Sequence, residues 1–297
     1  MATQETSKSG LDSSVESVWK SSNIAQRYKA TENATRPFDA IMVKEAGLTR
    51  IRSANIFDLG CGTGAVEAEI YAAVPKEQWA DIKVLAGDVS QSMLDYLDKR
   101  GESEGWTGIE TRLVDGKELE KNLQEEGFSH VFVGFTIFLL PPDTIKKLAR
   151  RLKSGGALGI STWASMPWYE LFTRAFERVE NGPKMPSREM WWASFTYNQP
   201  WNEKEFVNSQ LEEVGLKKVE TVQRKFEVEC GTPDIFITSV GYVLGILSKP
   251  WAEDVRERWL KEIQEILREI LVEEAGGVDQ PVFMTCEGIV GVGWKEE

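Results

Sequence analysis

Short apolar runs alternate with amphipathic segments from residue 54 onward. The apolar runs have the length of strands, and their ranges are 54–58, 82–88, 109–115, 130–138 and 157–163. Polar and apolar residues recur at helical spacing between them, at 65–74, 90–100 and 141–152. This alternation predicts an α/β fold with a doubly wound, mostly parallel sheet and helices on both faces. Ligands of such sheets bind beyond the carboxyl ends of the strands.

Helical and tryptophan-rich segments flank the alternating region. Residues 15–48 are predicted to be helical, with a break near Pro37. Residues 166–200 begin as an amphipathic helix and continue as a Trp-rich insertion. The remaining predicted elements are helices at 232–247 and 251–271 and a strand at 281–294. These segments lie outside the region in which strands and helices alternate.

Composition and charge restrict the possible partners. The 297 residues carry a formal charge of −12, from 35 basic and 47 acidic residues, and contain no Lys/Arg run of the nucleic-acid-binding type. A nucleic-acid partner is therefore not expected. The polar N-terminus lacks the apolar stretch of a signal peptide, and the longest apolar run is too short to span a bilayer. We expect a cytoplasmic protein without a membrane partner.

Cysteine and histidine are too sparse for a metal site. Cys61, Cys230 and Cys286 lie far apart in the sequence, and His130 is the single histidine. This spacing argues against a disulfide framework and against structural zinc, so no metal is predicted.

The stretch IFDLGCGTGAVEAEI (56–70) carries three glycines at alternate positions where a strand passes into a helix. A triphosphate-binding P-loop needs Gly-Lys-Ser/Thr, but Ala65 follows Gly64. Gly60, Gly62 and Ala65 do satisfy the dinucleotide pattern, so a nicotinamide-dependent oxidoreductase stays an alternative.

Acidic residues at successive strand ends favour a cationic nucleoside instead. Asp58, at the end of the first strand, would repel a pyrophosphate but suits the ammonium of S-adenosylmethionine (SAM). Asp88 and Asp115 follow at intervals of 30 and 27 residues, placed for the ribose hydroxyls and the adenine amino group. Gly116 leaves room for the adenine ring, and the glycine loop lets its backbone approach the ligand.

Several of these motifs resemble a known family. DLGCGTG, AGDVSQSML and LVDGKEL are similar to the first three motifs of class I SAM-dependent methyltransferases. RYKATE, ESEGW, HVFVGF, STW and LEEVGLKKV resemble the fungal small-molecule subgroup typified by the gliotoxin thiomethyltransferase. The resemblance implies a Rossmann-like, seven-stranded sheet, SAM as cofactor and a role in secondary metabolism.

The resemblance also implies roles for individual residues. Tyr28 would reach the SAM carboxylate, and Met93 would pack on the adenine. Gly134 and Phe135 would form the floor of the methyl-transfer site. Cys61 is interpreted as a small filler of the loop. The full predicted cofactor set is Tyr28, Asp58, Gly60, Cys61, Gly62, Asp88, Val89, Met93, Asp115, Gly116 and Gly134.

The sequence patterns and the resemblance together predict how the chain is divided. Residues 1–14 are predicted to be a disordered tail, and 15–297 a single methyltransferase domain. Within it we expect a helical cap at 15–48, a cofactor-binding half at 54–163, and substrate-side insertions with C-terminal strands at 164–297.

Aromatic residues are the candidates for the acceptor site. Phe135, Trp163, Trp168 and Trp192 are predicted to bind a flat, apolar, cyclic acceptor. His130 begins the fourth strand, roughly 16 Å from that strand's other end, so we interpret it as structural. With no histidine base, a thiolate or amine is an easier nucleophile than an aliphatic hydroxyl.

The sequence therefore predicts methyl transfer from SAM to a small metabolite, most simply at sulfur. Transfer to nitrogen, oxygen or carbon, and SAM binding without methyl transfer, stay open alternatives. No catalytic residue is assigned, and a monomer or weak homodimer is expected.

Overall fold

The computed structural model describes residues 19–29, 32–50 and 52–297. The predicted tail at 1–14 lies outside them. Seven strands form one sheet, and their bounds are β1 Ala54–Leu59, β2 Ile82–Asp88, β3 Ile109–Leu113, β4 Phe128–Val133, β5 Leu152–Ser165, β6 Lys217–Glu229 and β7 Phe283–Trp294. The predicted α/β fold is confirmed.

The strand order of the sheet is β3-β2-β1-β4-β5-β7-β6. Neighbouring strands from β3 to β5 pair in parallel, and β7 runs antiparallel to both β5 and β6. The chain winds outward in opposite directions from β1 and β4, so a crevice opens beyond the carboxyl ends of these two strands.

Helices cover both faces of the sheet. Their bounds are α1 Ile24–Lys29, α2 Glu32–Glu45, α3 Ala65–Ala73, α4 Gln91–Glu104, α5 Leu119–Asn122, α6 Thr144–Arg151, α7 Tyr169–Glu177, α8 Arg188–Ala193, α9 Lys204–Glu213, α10 Pro233–Leu247 and α11 Glu253–Ala275. Short 3₁₀ turns lie at Leu48–Arg50, Lys76–Asp81, Gly116–Glu118 and Ile137–Leu139. No helix in the described ranges is both long enough and apolar enough to cross a membrane.

The predicted break near Pro37 is wrong. Pro37 lies inside α2, which continues to Glu45 and packs against α3 and strands β5 to β7. The proline removes one backbone donor, but the buried face that includes Phe38 and Met42 holds the helix together through this position.

The sequence patterns did not locate β6 or α9. Most β6 side chains are exposed or only half-buried, because β6 is an edge strand. An edge strand shows no clean apolar alternation and is often charged. Its pairing with β7 is therefore decided by the tertiary fold and not by its own hydrophobic pattern.

Phe38 connects the helical cap to the sheet. Its ring packs edge-on against Phe135, Trp163 and Phe226, with centroids 5.1 to 6.2 Å apart. Gly288 of β7 lies directly below, and a Cβ added there would be 2.7 Å from the Phe38 ring. The absence of a side chain at residue 288 therefore lets the ring approach the strand closely.

We expect Gly288→Ala to destabilise the fold by about 1–3 kcal/mol through overpacking, and Phe38→Ala by about 3–5 kcal/mol through the cavity it leaves. In the double variant the new methyl enters space that the ring has vacated. Its loss of unfolding free energy in urea should thus be smaller than the sum of the single losses. Simple additivity would show that the two residues do not share this space.

Candidate active site

A deep cavity lies at the carboxyl ends of β1, β2 and β4. It encloses about 1170 Å³, including the part open to solvent, which is ample for a nucleoside with an amino-acid chain. Every residue of the predicted cofactor set except Asp58 lines this first cavity. Its charged side chains are Asp39, Asp88, Asp115 and Lys117.

The glycine loop after β1 forms the floor of the first cavity. The backbone amides of Gly60 and Cys61 both donate to the carbonyl of Gly87, which fixes the loop against β2. Gly60 has a φ of +80°, and a Cβ there would overlap the side chain of Thr136. A side chain at residue 60 is therefore excluded both by backbone conformation and by space.

Asp88 and Asp115 both line the first cavity, beside the ends of β2 and β3. Asp88 accepts hydrogen bonds from the amides of Gly62 (3.0 Å) and Ser90 (2.9 Å). Burial raises its pKa, and these amides partly offset the effect. Asp115 accepts from the amide of Lys117 (2.9 Å) at the start of a 3₁₀ turn. Each carboxylate keeps lone pairs for a ligand hydroxyl or amino group.

Asp58 departs from its predicted role. It is fully buried beneath the glycine loop and does not line the first cavity. Both carboxyl oxygens of Asp58, and both of Glu67 in the first turn of α3, are buried without a side-chain donor among the described residues, and the two carboxyl groups interact with each other. Two adjacent buried carboxyl groups are accommodated at least cost when they share one proton, and we infer such a proton here. Burial raises the pKa of Asp58 well above its ordinary value and that of Glu67 to about 7.

Asp39 is a cavity acid that our sequence patterns missed. It lies on α2, lines the first cavity, and accepts a hydrogen bond from Ser161 Oγ of β5 (3.2 Å). The same hydroxyl accepts from the amide of Phe135 (3.1 Å), whose φ of +48° is unusual for a bulky residue. Ser161 thereby ties the helical cap to the strained turn after β4. The available signal was an acid placed among the apolar positions of an amphipathic helix.

Predicted residues from the cap and from β2 complete the wall. Tyr28 lines the first cavity, and burial raises the pKa of its phenol, which remains protonated. Val89 and Met93 also line the cavity, and Met93 packs on Ile24 of α1. Burial raises the pKa of the Cys61 thiol well above its usual range, which fits a filler and not a nucleophile.

A buried ion pair, also missed, fastens the cap to the loop. Glu32 at the start of α2 accepts from Arg100 (2.9 Å) and from the Thr63 hydroxyl (2.9 Å). Arg100 additionally donates to the carbonyls of Thr63 and Gly64. Burial alone would raise the pKa of Glu32, but Lys29 and Arg100 reverse the effect and lower it.

A second cavity of about 830 Å³, again including the part open to solvent, adjoins the first. The two share Tyr28, Thr35 and Phe135 among their walls. Its lining is largely aromatic and aliphatic, and it includes Trp163 and Trp168, as predicted, together with residues of α10. The Trp163 ring packs 4.3 Å from Phe135 and 5.6 Å from Trp168, between centroids.

Trp192 does not line either cavity, contrary to expectation. Its ring lies behind Phe138 and Phe195, and its indole N–H donates to the carbonyl of Gln199 (3.3 Å). The preceding residue, Trp191, lines the second cavity instead. Consecutive residues of α8 point in different directions, so the periodicity of this short helix decides which tryptophan faces inward.

His130 lies away from both cavities. Its ring nitrogens contact Ser129 Oγ (2.9 Å) and the carbonyl of Ala46 (3.2 Å). Burial lowers the pKa of the imidazole to about 4. The side chain is neutral at physiological pH and stabilises the start of β4.

Comparisons with known proteins agree with this geometry. A family model described as a methyltransferase domain matches residues 56–156. Methyltransferase ktnA from Aspergillus niger is 25% identical over 292 residues, covering 91% of this chain and 95% of that protein. Acetylaranotin bis-thiomethyltransferase from Aspergillus terreus is 27% identical over 263 residues, covering 87% and 90%.

Solved structures extend the likeness to the fold. A phosphoethanolamine N-methyltransferase 2 from Haemonchus contortus, solved with S-adenosyl-L-methionine, superimposes with a TM-score of 0.54 at 14% identity. The match covers 98% of this chain and 61% of that one. At this identity it establishes a shared fold alone.

The Asp58–Glu67 pair makes stability pH-dependent. The pKa of Glu67 rises from about 4.3 in an unfolded chain to about 7 in the folded protein. Between these values the folded state binds more protons, so its stability falls as pH rises through the window. We expect Glu67→Gln to remove a decline of about 1–3 kcal/mol between pH 4.5 and 7.5, measured by urea unfolding.

Glu69→Gln is the matched control, because it removes the same charge from the same helix without touching Asp58. Its pH profile should parallel that of the unmodified protein. A parallel profile for Glu67→Gln as well would contradict the shared proton.

Proposed function

Since the chain belongs to the class I SAM-dependent methyltransferases, with S-adenosylmethionine as cofactor, we propose that it methylates a small, apolar and cyclic metabolite at a thiol sulfur, which reacts as the thiolate. The observation that carries this proposal is the chemistry of the second cavity. It is apolar and adjoins the first cavity at Phe135, and none of its described lining residues is a strong base.

The first cavity suits the cofactor in shape and charge. Asp88 and Asp115 lie at the ends of β2 and β3 or just beyond, in positions for ribose hydroxyls and an adenine amino group. At Gly60 and Gly62 the loop presents backbone without a side chain to the cavity. SAM supplies a methyl group on a sulfonium, open to in-line displacement by a nucleophile.

The second cavity suits an acceptor whose ring skeleton carries no charge. None of the described residues lining it is Asp, Glu, His, Lys or Arg. Its two tyrosines are poor bases, since burial raises the pKa of Tyr242 to about 12 and that of Tyr28 further. The buried indole N–H of Trp168 has no partner within the described structure, so a carbonyl or sulfur of the acceptor would satisfy it.

Because the described lining of the second cavity contains no base, it favours a nucleophile that loses its proton without the help of one. A thiol with a pKa of about 8.5 is already ionised to a few per cent at neutral pH, whereas an aliphatic hydroxyl is not. The thiol proton then leaves to solvent before the thiolate attacks. The likeness to a bis-thiomethyltransferase supports the same choice.

The protein's contribution to the reaction is positioning and exclusion of water. Ser161 holds the Phe135 turn where the two cavities meet, and the rings of Trp163 and Trp168 form a rigid wall. Holding two reactants in line can lower the barrier by about 7–11 kcal/mol without a general base. Transfer to nitrogen, oxygen or carbon is the alternative for the same cavities.

The acceptor atom is tested with three matched compounds that present a thiol, an amine or a phenol on the same ring skeleton. We expect the thiol to give the highest kcat/KM, measured by S-adenosylhomocysteine release. The rate should rise about tenfold per pH unit below the thiol pKa, because the thiolate fraction does so. A preference for the phenol would refute the sulfur assignment.

Trp163→Leu tests the acceptor wall. Losing an aromatic contact costs about 0.5–1.5 kcal/mol, so we expect KM for the acceptor to rise up to about 10-fold. The dissociation constant for SAM, measured by calorimetry, should not change. Trp192→Leu is the control, because Trp192 does not line either cavity. An equal increase in KM for this variant would contradict the placement of Trp163 in the wall of the second cavity.

A further inference from the structure

Asp39 is a buried acid in the first cavity to which the sequence motifs assign no role. It is only 1% exposed, yet its side chain is among those lining the cavity. Its one described hydrogen bond comes from Ser161 Oγ to Oδ1 (3.2 Å). A carboxylate has about four lone-pair positions, so this bond leaves most of its capacity unused.

The acids of the first cavity lie on opposite sides. Asp88 and Asp115 belong to the β2 and β3 side. Asp39 lies over the end of β4, where a Cβ added at Gly134 would be 3.1 Å from its Oδ1. Asp58, the acid expected beside a cationic group, is buried against Glu67 and does not reach the cavity.

We propose that Asp39, from the helical cap, is the carboxylate that binds the ammonium group of the SAM methionine. This assignment rests on SAM binding in the first cavity but not on the identity of the acceptor. An ammonium donates three hydrogen bonds, and Asp39 faces the cavity on the side away from the ribose and adenine acids. Ser161 acts as the positioning residue by holding Oδ1.

Electrostatics support this role. Burial raises the pKa of Asp39 well above its ordinary value, and the carboxylates of Glu69, Glu32 and Glu67 raise it further, whereas Ser161 lowers it. No described cation pairs with Asp39. A ligand ammonium would supply the missing counter-charge within a region that excludes water.

A role as general base is less well supported. Asp39 lines the first cavity but is absent from the lining of the second. The acceptor nucleophile would approach through the second cavity, past Thr35 and Phe135, which both cavities share.

The test measures binding of two ligands to the full chain by calorimetry, without any acceptor. One is S-adenosylhomocysteine, which carries the ammonium, and the other is its analogue lacking the amino group. We expect Asp39→Asn to weaken the first by about 10- to 100-fold and to change the second by less than about twofold. Ser161→Ala should produce a smaller loss with the same selectivity.

Asp88→Asn is the matched control, because it removes a ribose contact and should weaken both ligands equally. The proposal is overturned if Asp39→Asn leaves S-adenosylhomocysteine binding unchanged, or if it weakens both ligands to the same extent while the thermal unfolding midpoint is retained. Unchanged binding with lost methyl transfer would point to a base. Absence of activity on thiols would refute the proposed function but leave these binding results intact.

Discussion

Carboxyl groups buried at one edge of a parallel sheet are the constraint on which this structure depends. Asp39, Asp58, Glu67 and Asp88 are each at most 9% exposed. A buried carboxylate without compensation is costly, so each must share a proton, accept hydrogen bonds or await a cation. All three kinds of compensation occur at this edge of the sheet, and the residues that use them have different roles.

The Asp58–Glu67 pair lies beneath the glycine loop, which is the floor of the first cavity, whereas Asp88 lies in the wall of that cavity. Asp58 and Glu67 join β1 to α3 beneath the glycine loop and so act on the loop from below. Asp88 holds the loop from the side through the amide of Gly62. Asp39 has a single described hydrogen bond and no described cation beside it, which is why we assign it a ligand cation as partner.

The helical cap connects this electrostatic edge to the aromatic second cavity. Glu32 and Arg100 fix the start of α2 to the glycine loop, while Phe38 fixes its middle to Phe135 and Trp163. One helix therefore contributes to both cavities and sets their relative position. That arrangement is what in-line transfer between two bound molecules requires.

The sequence by itself determined the sheet, the glycine loop and the acids at the strand ends, because strand periodicity and the carboxyl-end rule are local properties that survive without knowledge of packing. The positions of Asp88 and Asp115 beside the strand ends follow from this rule. Tertiary structure alone decided that Asp58 turns inward to Glu67 and that Asp39 reaches the cavity from a distant helix. Both depend on contacts between elements far apart in the chain, and no local pattern encodes which buried acid meets another and which meets open space.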